Sequence, residues 1–265
     1  MAFAELKRKQ SEIWGNGPYE RITATIRDLQ ETVVDRLEPA PGVEWLDVAC
    51  GTGATAFLAA ERGATVTGQD LAPALVATAR TLAAGRGLDV RFDVGDAEDL
   101  PYEDGSFDAV SSTCGVMFAP DHVAVAQELA RVTRRGGRVG LACWTPDGHA
   151  AEMFRMMAPF APPPVPGAGS PFDWGSDEHV RALLGDAFEL SFERLVSPLR
   201  VRSGEAHWEL FSTSFGPTKT LVESLGVDRR DELYRAWIEF SEQGRREGHE
   251  LVHDREYLLT VGARR

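Results

Sequence analysis

A glycine turn between two apolar segments, within residues 44 to 56, constrains this chain most. The run Trp-Leu-Asp-Val ends just before Gly51 and Gly53, and an alanine-rich segment follows. A short apolar run bounded by turn signals predicts a buried parallel strand, and the glycines let a ligand approach the backbone closely. The stretch therefore predicts a strand, a tight loop and a helix N-terminus, the arrangement with which open α/β sheets bind nucleotides.

The charge before the turn indicates which nucleotide-like ligand the loop would accept. Residues 51 to 56 also satisfy the G-x-G-x-x-G/A pattern of dinucleotide enzymes, which is a weak signal by itself. Asp47, four residues before Gly51, would repel a pyrophosphate and attract a cofactor with positive charge. S-adenosylmethionine (SAM) carries a sulfonium and an α-ammonium. The run Leu-Asp-Val-Ala-Cys-Gly-Thr-Gly at 46 to 53 resembles the first motif of class I SAM-dependent methyltransferases.

The resemblance extends over roughly residues 43 to 144, because the segment from Phe107 to Trp144 also matches this family closely. The chain resembles the members of this family that act on small molecules, and it is similar to the methyltransferases of ubiquinone and menaquinone biosynthesis. The resemblance implies an α/β fold with a doubly wound, mostly parallel, seven-stranded Rossmann-like sheet, an antiparallel last strand and a helical insertion. We expect an N-terminal helical cap at 1–40 and a methyltransferase domain at 41–265, whose insertion at about 145–247 binds the substrate.

Acidic residues at the ends of the next two strands complete the predicted cofactor site. Asp70 lies about twenty residues beyond the glycine loop, the spacing at which a carboxylate reaches ribose hydroxyls. By resemblance to the family's third motif, Asp96 accepts the adenine amino group and the backbone N–H of Ala97 meets a ring nitrogen. Asp96 could also be a helix N-cap. The remaining predicted cofactor residues, at strand ends and in the loop, are Ala49, Gly51, Gly53, Leu71 and Thr113.

Two helices are predicted before the sheet, at residues 2–14 and 19–37, because Gly15, Gly17 and Pro18 interrupt the helical pattern between them. By the family resemblance, Trp14 and Tyr19 would close over SAM or over the substrate. The alternative is that both side chains simply fill a helix junction.

Methyl transfer requires mainly alignment of the reacting atoms, and a general base is needed only for some acceptors. His149, just after the fifth strand, is the best-placed base candidate, although a histidine in such a position is more often an ordinary loop residue. His122, beside Asp121, is a weaker candidate. The six histidines show no metal-ligand spacing, so we expect no metal site. Aromatic and methionine residues beyond Trp144 suit an apolar small-molecule acceptor.

Composition narrows the partners and the compartment. The formal net charge is -13, and a strongly acidic chain disfavours nucleic acid as a substrate. The three cysteines are far apart and each adjoins an apolar run, which indicates reduced, buried thiols. No secretory signal or membrane-length apolar run is visible. We therefore expect a cytoplasmic protein without a membrane partner; the sequence does not indicate an oligomeric state.

These features favour a SAM-dependent methyltransferase acting on O, N or C of a small, largely apolar metabolite. One alternative is an NAD(P)-dependent oxidoreductase, which shares the glycine loop and the ribose carboxylate. The other is a SAM-binding protein without turnover.

Overall fold

A computed structural model describes residues 3–265, and residue 2, which we predicted to begin the first helix, lies outside the described part. The strands in this part, in chain order, are β1 Glu44–Val48, β2 Thr65–Asp70, β3 Val90–Val94, β4 Phe107–Thr113, β5 Thr133–Trp144, β6 Phe188–Val201, β7 Arg245–Glu247 and β8 Glu250–Arg264. The helices are α1 Ala4–Trp14, α2 Glu20–Thr23, α3 Arg27–Leu37, α4 Ala54–Glu61, α5 Pro73–Arg86, α6 His122–Val132, α7 His149–Met157, α8 Asp177–Leu184, α9 Gly204–Ser214, α10 Gly216–Ser224 and α11 Val227–Glu242.

Seven strands form one continuous sheet in the order β3-β2-β1-β4-β5-β8-β6, and the short β7 pairs beside β8. Neighbours from β3 to β5 are parallel, whereas β8 runs antiparallel to both β5 and β6. The predicted mostly parallel seven-stranded sheet with an antiparallel last strand is therefore confirmed. The strand order reverses between β1 and β4, which is the point where sheets of this kind bind ligands.

Local sequence signals set the ends of the helices beside this point. Pro73 lies in the first turn of α5, where its fixed φ suits a helix and its missing N–H costs nothing. The carboxylate of Asp121 accepts the N–H of Ala124 at 3.0 Å and so caps α6. The alternative that Asp96 caps a helix is wrong, because the chain from Asp96 to Asp99 forms a turn with an isolated β-bridge.

Several boundaries differ from the sequence-based prediction. Basic residues followed by two glycines at 134–137 predict the end of a helix and a strand that begins at Arg138, whereas strand β5 begins at Thr133. The register between β4 and β5 shifts near Phe107, so the glycine pair at 136–137 is accommodated as an irregularity within the strand. Alternating apolar residues predict a strand at 188–193, whereas β6 extends to Val201 and lies inside the stretch predicted as an insertion.

Two hydrophobic cores stabilise the fold. The larger core packs helices against the sheet and includes Trp45, Phe57 and Leu141. The smaller core joins α7, α9 and α11 to the end of the sheet and is centred on Trp237 and Phe211. Within residues 3–265, none of the helices has the length and apolar character needed to span a membrane.

Candidate active site

A cavity of about 860 Å³ opens where the strand order reverses, at the carboxyl ends of β1 to β4. The structure brings nine of the eleven predicted cofactor residues into its wall: Trp14, Tyr19, Ala49, Gly51, Asp70, Leu71, Asp96, Ala97 and Thr113. These residues come from α1, the segment after α1, and the ends of four strands. The predicted residues thus line a single space, partly open to solvent, which we call the first cavity; what each residue binds stays a prediction.

The glycine loop is held open by its backbone conformation and by Asp70. Gly51 has φ +57° and Gly53 has φ +87°, values that residues with a side chain rarely adopt. The N–H of Gly51 donates to Asp70 Oδ2 at 2.8 Å, and the N–H of Ala72 donates to Asp70 Oδ1 at 2.8 Å. Each carboxylate oxygen retains acceptor capacity. Asp70 therefore anchors the loop and can still accept a ligand hydroxyl.

Two non-glycine residues beside the loop also have left-handed backbones. Ala49 has φ +53° and Cys114 has φ +52°, and both line the first cavity. A Cβ on Gly115 would lie 2.7 Å from the Cβ of Ala49, so the segments after β1 and β4 are in close contact. Such strain costs on the order of 1 to 3 kcal/mol per residue and concentrates at functional sites.

Asp47 and Gly53 are not part of the cavity wall. Asp47 is 1% exposed within β1, and its Oδ1 accepts the hydroxyl of Ser111 at 2.7 Å while Oδ2 has no partner. Burial raises the pKa of Asp47 to about 7, although the hydrogen bond from Ser111 opposes this shift. A Cβ on Gly53 would meet the rings of Phe92 and Phe57. Gly53 therefore contributes to packing, and Asp47 can act on a ligand only through its charge.

Helix α1 crosses the opening of the first cavity. Lys7 Nζ donates to Asp96 Oδ2 at 2.6 Å and also pairs with Glu98. Ser11 Oγ donates to the carbonyl of Leu71 at 3.0 Å, and Gln10 Nε2 donates to the carbonyl of Phe118 at 2.9 Å. Helix α1 is therefore fastened to the ends of β2 and β3 and to the segment after β4, and it forms a lid.

The charges of the first cavity suit a cationic ligand. Asp70 and Asp96 lie in its wall, and the cation there, Lys7, is already paired with Asp96 and Glu98. Gln69 is 1% exposed and lines the same space, and neither of its amide atoms has a hydrogen-bond partner. Buried polar atoms are normally satisfied, so a ligand with donors and acceptors fits here. A diphosphate would meet the carboxylates of Asp70 and Asp96, whereas the cationic groups of SAM would be attracted to them.

A second cavity of about 580 Å³ adjoins the first and is mainly aromatic and apolar. Both cavities are bounded by Trp14, Tyr19, Ile26, Cys114 and Phe118. We call these five residues the shared wall. The ring of Trp14 lies 4.7 Å from that of Phe118 and 5.8 Å from that of Tyr19, centroid to centroid. Trp14 and Tyr19 therefore lie between the two spaces.

His149 lines the second cavity and does not reach the first. Its ring stacks on Phe240 at 4.6 Å and on His253 at 4.5 Å. Burial, together with the neighbouring His253 and Arg255, lowers the pKa of His149 to about 3. The imidazole is therefore neutral at pH 7 and a weak proton acceptor, which disfavours the predicted role as a general base.

His122, the weaker base candidate, lies apart from both cavities. Its Nδ1 is 3.0 Å from Nε2 of His179, and the ligand atoms of His122, His179 and Asp173 all lie within 4.8 Å of one another. These three side chains could hold a metal ion. The expectation of no metal site therefore stays a prediction, because sequence spacing does not reveal ligands that the fold brings together.

The polar cavity residues that sequence reasoning missed include Lys7, Gln69, His207 and Arg255. A signal existed for Arg255, because extending the alternation of the last strand backwards places residues 253, 255 and 257 on one face. Gln69 directly precedes Asp70 at a strand end. For Lys7 and His207 the sequence gives no signal, since their positions depend on contacts between distant segments.

Comparison with known proteins agrees with this geometry. The family model described as "Methyltransferase domain" matches residues 46–141. An uncharacterised protein of Mycobacterium tuberculosis (strain ATCC 25618 / H37Rv) is 34% identical over 258 residues, covering 96% of this chain and 93% of that protein. Nocamycin O-methyltransferase of Saccharothrix syringae is 43% identical over 119 residues, covering 43% of this chain and 42% of that enzyme.

A solved structure shows the same fold. Geranyl diphosphate C-methyltransferase from Streptomyces coelicolor A3(2), in complex with Mg²⁺, geranyl-S-thiolodiphosphate and S-adenosyl-L-homocysteine, superposes with a TM-score of 0.56 at 20% identity. The match covers 90% of this chain and 76% of that one. At this identity the likeness concerns the fold.

Proposed function

We propose that this chain, which belongs to the class I SAM-dependent methyltransferases and uses SAM as its cofactor, methylates O, N or C of a small, largely apolar metabolite. The observation that carries the proposal is the pair of adjoining cavities. One has acidic and polar walls, the other is aromatic, and they share the residues that separate them. Such a pair suits a charged nucleoside cofactor beside an apolar acceptor.

In this proposal different residues bind different parts of SAM. Asp70 accepts the ribose hydroxyls, Asp96 and the N–H of Ala97 hold the adenine, and Trp14 and Tyr19 cover the cofactor. The loop at 49 to 53 leaves room for the ligand beside the backbone, and Leu71 and Thr113 complete the wall. Asp47 supplies a negative charge nearby.

When bound, SAM supplies an electrophilic methyl group on a sulfonium. The protein aligns the acceptor with it, and such alignment is worth roughly 7 to 11 kcal/mol of the barrier. The acceptor lies in the second cavity, between the shared wall and the aromatic side chains of α7 and α9. The N-terminal segment 1–40 then acts as the cap, and residues 145–247 supply most of the acceptor contacts. The names of the two relatives, an O-methyltransferase and a C-methyltransferase, support a small acceptor and leave the methylated atom open.

Calorimetric titration tests the cofactor half of the proposal. We expect S-adenosylhomocysteine to bind with a 1:1 stoichiometry and NAD to show no heat under the same conditions. Binding of NAD alone would favour an oxidoreductase, for which the comparisons give no support, and would overturn the proposal.

Turnover tests the second half. Incubation with SAM and a panel of small aromatic and aliphatic hydroxyl, carboxyl and amine compounds should yield a product 14 mass units heavier, as expected for replacement of hydrogen by methyl. Tight binding of S-adenosylhomocysteine with no transfer to any class of acceptor would instead indicate a SAM-binding protein without turnover.

A further inference from the structure

The second cavity contains a buried cation, Arg255. Arg255 lines the cavity and is 5% exposed, and its guanidinium lies 5.4 Å from the ring centroid of Trp144, which also lines the cavity. It donates to the carbonyl of Ser197 at 3.1 Å, to the hydroxyls of Thr25 and Ser197 at 3.1 and 3.3 Å, and to the carbonyl of Thr25. All of these acceptors are neutral. Among residues 3–265 no carboxylate forms an ion pair with Arg255; Asp28 accepts the Ser197 hydroxyl that Arg255 also contacts, and its charge acts on Arg255 from a distance.

A buried charge without a direct ion pair is costly, and an arginine carries its charge at any physiological pH. Arg255 retains its charge here, since burial lowers its pKa only to about 10. The cavity beside it therefore favours an anion. Arg255 and the shared wall line this same cavity, so an anion bound there adjoins the first cavity.

Two histidines add unsatisfied polar atoms to the same wall. Nε2 of His149 and Nε2 of His207 are buried without a hydrogen-bond partner, and Nδ1 of His207 is 3.0 Å from the Ser241 hydroxyl. Burial lowers the pKa of both imidazoles, and the adjacent His253 and Arg255 lower it further. Both rings are therefore neutral at pH 7 and can donate or accept one hydrogen bond.

None of the other polar groups in this wall can remove a proton from an alcohol at neutral pH. Burial raises the pKa of the Tyr19 hydroxyl and of the Cys114 thiol, so both keep their protons. His149 is too weak a base. An oxygen acceptor in this cavity is therefore activated only if it is already ionised or ionises beside a cation, and Arg255 provides that cation.

We propose that the second cavity selects acceptors that join an apolar body to an acidic oxygen, as in a carboxylic acid, an acidic enol or an acidic phenol, bound as the anion toward Arg255. This inference rests on the proposed function and deepens it, because it makes the protein an O-methyltransferase. The neutral imidazoles of His149 and His207 contribute hydrogen bonds to the same end of the acceptor.

The step balances without a general base. A lone pair of the acceptor oxygen forms the new O–CH₃ bond while the S–CH₃ bond breaks and leaves its electron pair on sulfur. The anionic oxygen and the cationic sulfonium both become neutral, and no proton has to leave. The neutral ester or ether no longer pairs with Arg255, which favours release of the product.

A matched pair of probes tests the inference by binding alone. We expect 2-naphthoate to bind the protein saturated with S-adenosylhomocysteine at least tenfold more tightly than 2-naphthamide, measured by isothermal titration calorimetry. The two probes have the same apolar body and differ in charge. Arg255→Met should abolish the preference for 2-naphthoate, and Arg255→Lys should retain part of it. The control is Arg194→Met, which removes an exposed arginine of β6 and should leave the preference unchanged.

Equal affinity for the two probes, or no binding of either, overturns the inference. Retention of the full preference in Arg255→Met also overturns it. If Arg255→Met does not fold, judged by its melting curve and its affinity for S-adenosylhomocysteine, the comparison of probes on the wild type and on Arg255→Lys still decides. If the inference fails this test while S-adenosylhomocysteine binds normally, the proposed function still stands. A failure of the inference can therefore be distinguished from a failure of the proposed function.

Discussion

Asp70 shows at the scale of a single residue how one carboxylate can serve both the fold and the ligand. Its oxygens accept the N–H groups of Gly51 and Ala72, which fixes the glycine loop, and it also lines the first cavity. Burial raises its pKa, while hydrogen bonds from backbone N–H groups, including those of Ala72 and Gly51, oppose the shift. Removing this side chain should therefore affect both the loop and the proposed contact with ribose.

We expect Asp70→Ala to raise the dissociation constant of S-adenosylhomocysteine by tenfold or more, about 1.4 kcal/mol. The measurement is calorimetric titration at pH 7.5. Asp89→Ala, which changes an exposed aspartate outside the cavity, is the control and should bind normally. Unchanged affinity in Asp70→Ala would remove this residue from the proposed site.

The raised pKa of Asp47 predicts that the affinity for SAM depends on pH. With a pKa of about 7, the carboxyl is mostly protonated at pH 5.5 and largely ionised at pH 8. A cationic ligand favours the ionised form and lowers the pKa. SAM should therefore bind more tightly as pH rises from 5.5 to 7.5, by at most about tenfold for each unit by which binding lowers the pKa.

Proton release measures this linkage directly. Titrations at pH 6.5 in phosphate and in imidazole buffer should give different apparent enthalpies, because a proton leaves Asp47 on binding. Asp47→Asn should remove the difference. Identical enthalpies in both buffers for the wild type would contradict the predicted coupling.

The sequence predicted the residues that follow strand ends better than those that depend on distant contacts. Asp70 and Asp96 were found because parallel strands place their carboxyl ends at one edge. Asp47 was expected in the site, but its side chain lies within β1 against Ser111, since direction within a strand depends on register. Lys7 and Arg255 could not be assigned, because each acquires its role from segments far along the chain.

At the scale of elements, α1 is the part whose role sequence periodicity does not reveal. Its hydrogen bonds connect it to the ends of β2 and β3 and to the segment after β4. Lys7 is the only buried residue of this helix, with 7% of its surface exposed. A charged residue is rarely buried unless it is paired. The ion pairs of Lys7 with Asp96 and Glu98 therefore fasten the lid.

Lys7→Met should loosen this lid while keeping an unbranched side chain that is only one atom shorter. We expect S-adenosylhomocysteine to dissociate at least threefold faster from this variant, because the ion pairs of Lys7 with Asp96 and Glu98 are lost. The difference from the wild type should shrink at high salt, since salt screens the wild-type ion pairs. Stopped-flow tryptophan fluorescence measures the rate, since Trp14 lies in the wall. Lys9→Met removes an exposed ion pair of the same helix and should have no effect; an equal rate in Lys7→Met would contradict the lid.

Apolar runs and glycine turns predicted the early strands, and the family resemblance implied the mostly parallel sheet, but the boundaries of its later strands were not predictable. Strand β6 continues to Val201 and β8 begins at Glu250, and both extensions carry polar residues such as Ser197 and His253 in buried positions. Buried polar residues interrupt the alternation by which a strand is recognised. These same extensions contribute Leu199 and Arg255 to the second cavity.

At the scale of the whole molecule, binding should stabilise the lid more than the sheet. Saturation at 100 times the dissociation constant raises the free energy of unfolding by about 2.7 kcal/mol for a ligand that binds only the folded state. We expect hydrogen exchange to slow with S-adenosylhomocysteine in α1, α2 and α9, and to change little in β1 and β4. NAD at the same concentration is the control. Protection confined to the central strands would contradict a closing lid.

The shared wall gives the two proposed ligands a common boundary. Trp14 and Tyr19 border both cavities and belong to the N-terminal segment that lines them. A displacement of that segment would expose both compartments to water together. We therefore expect the spent cofactor and the methylated product to leave through the same gap.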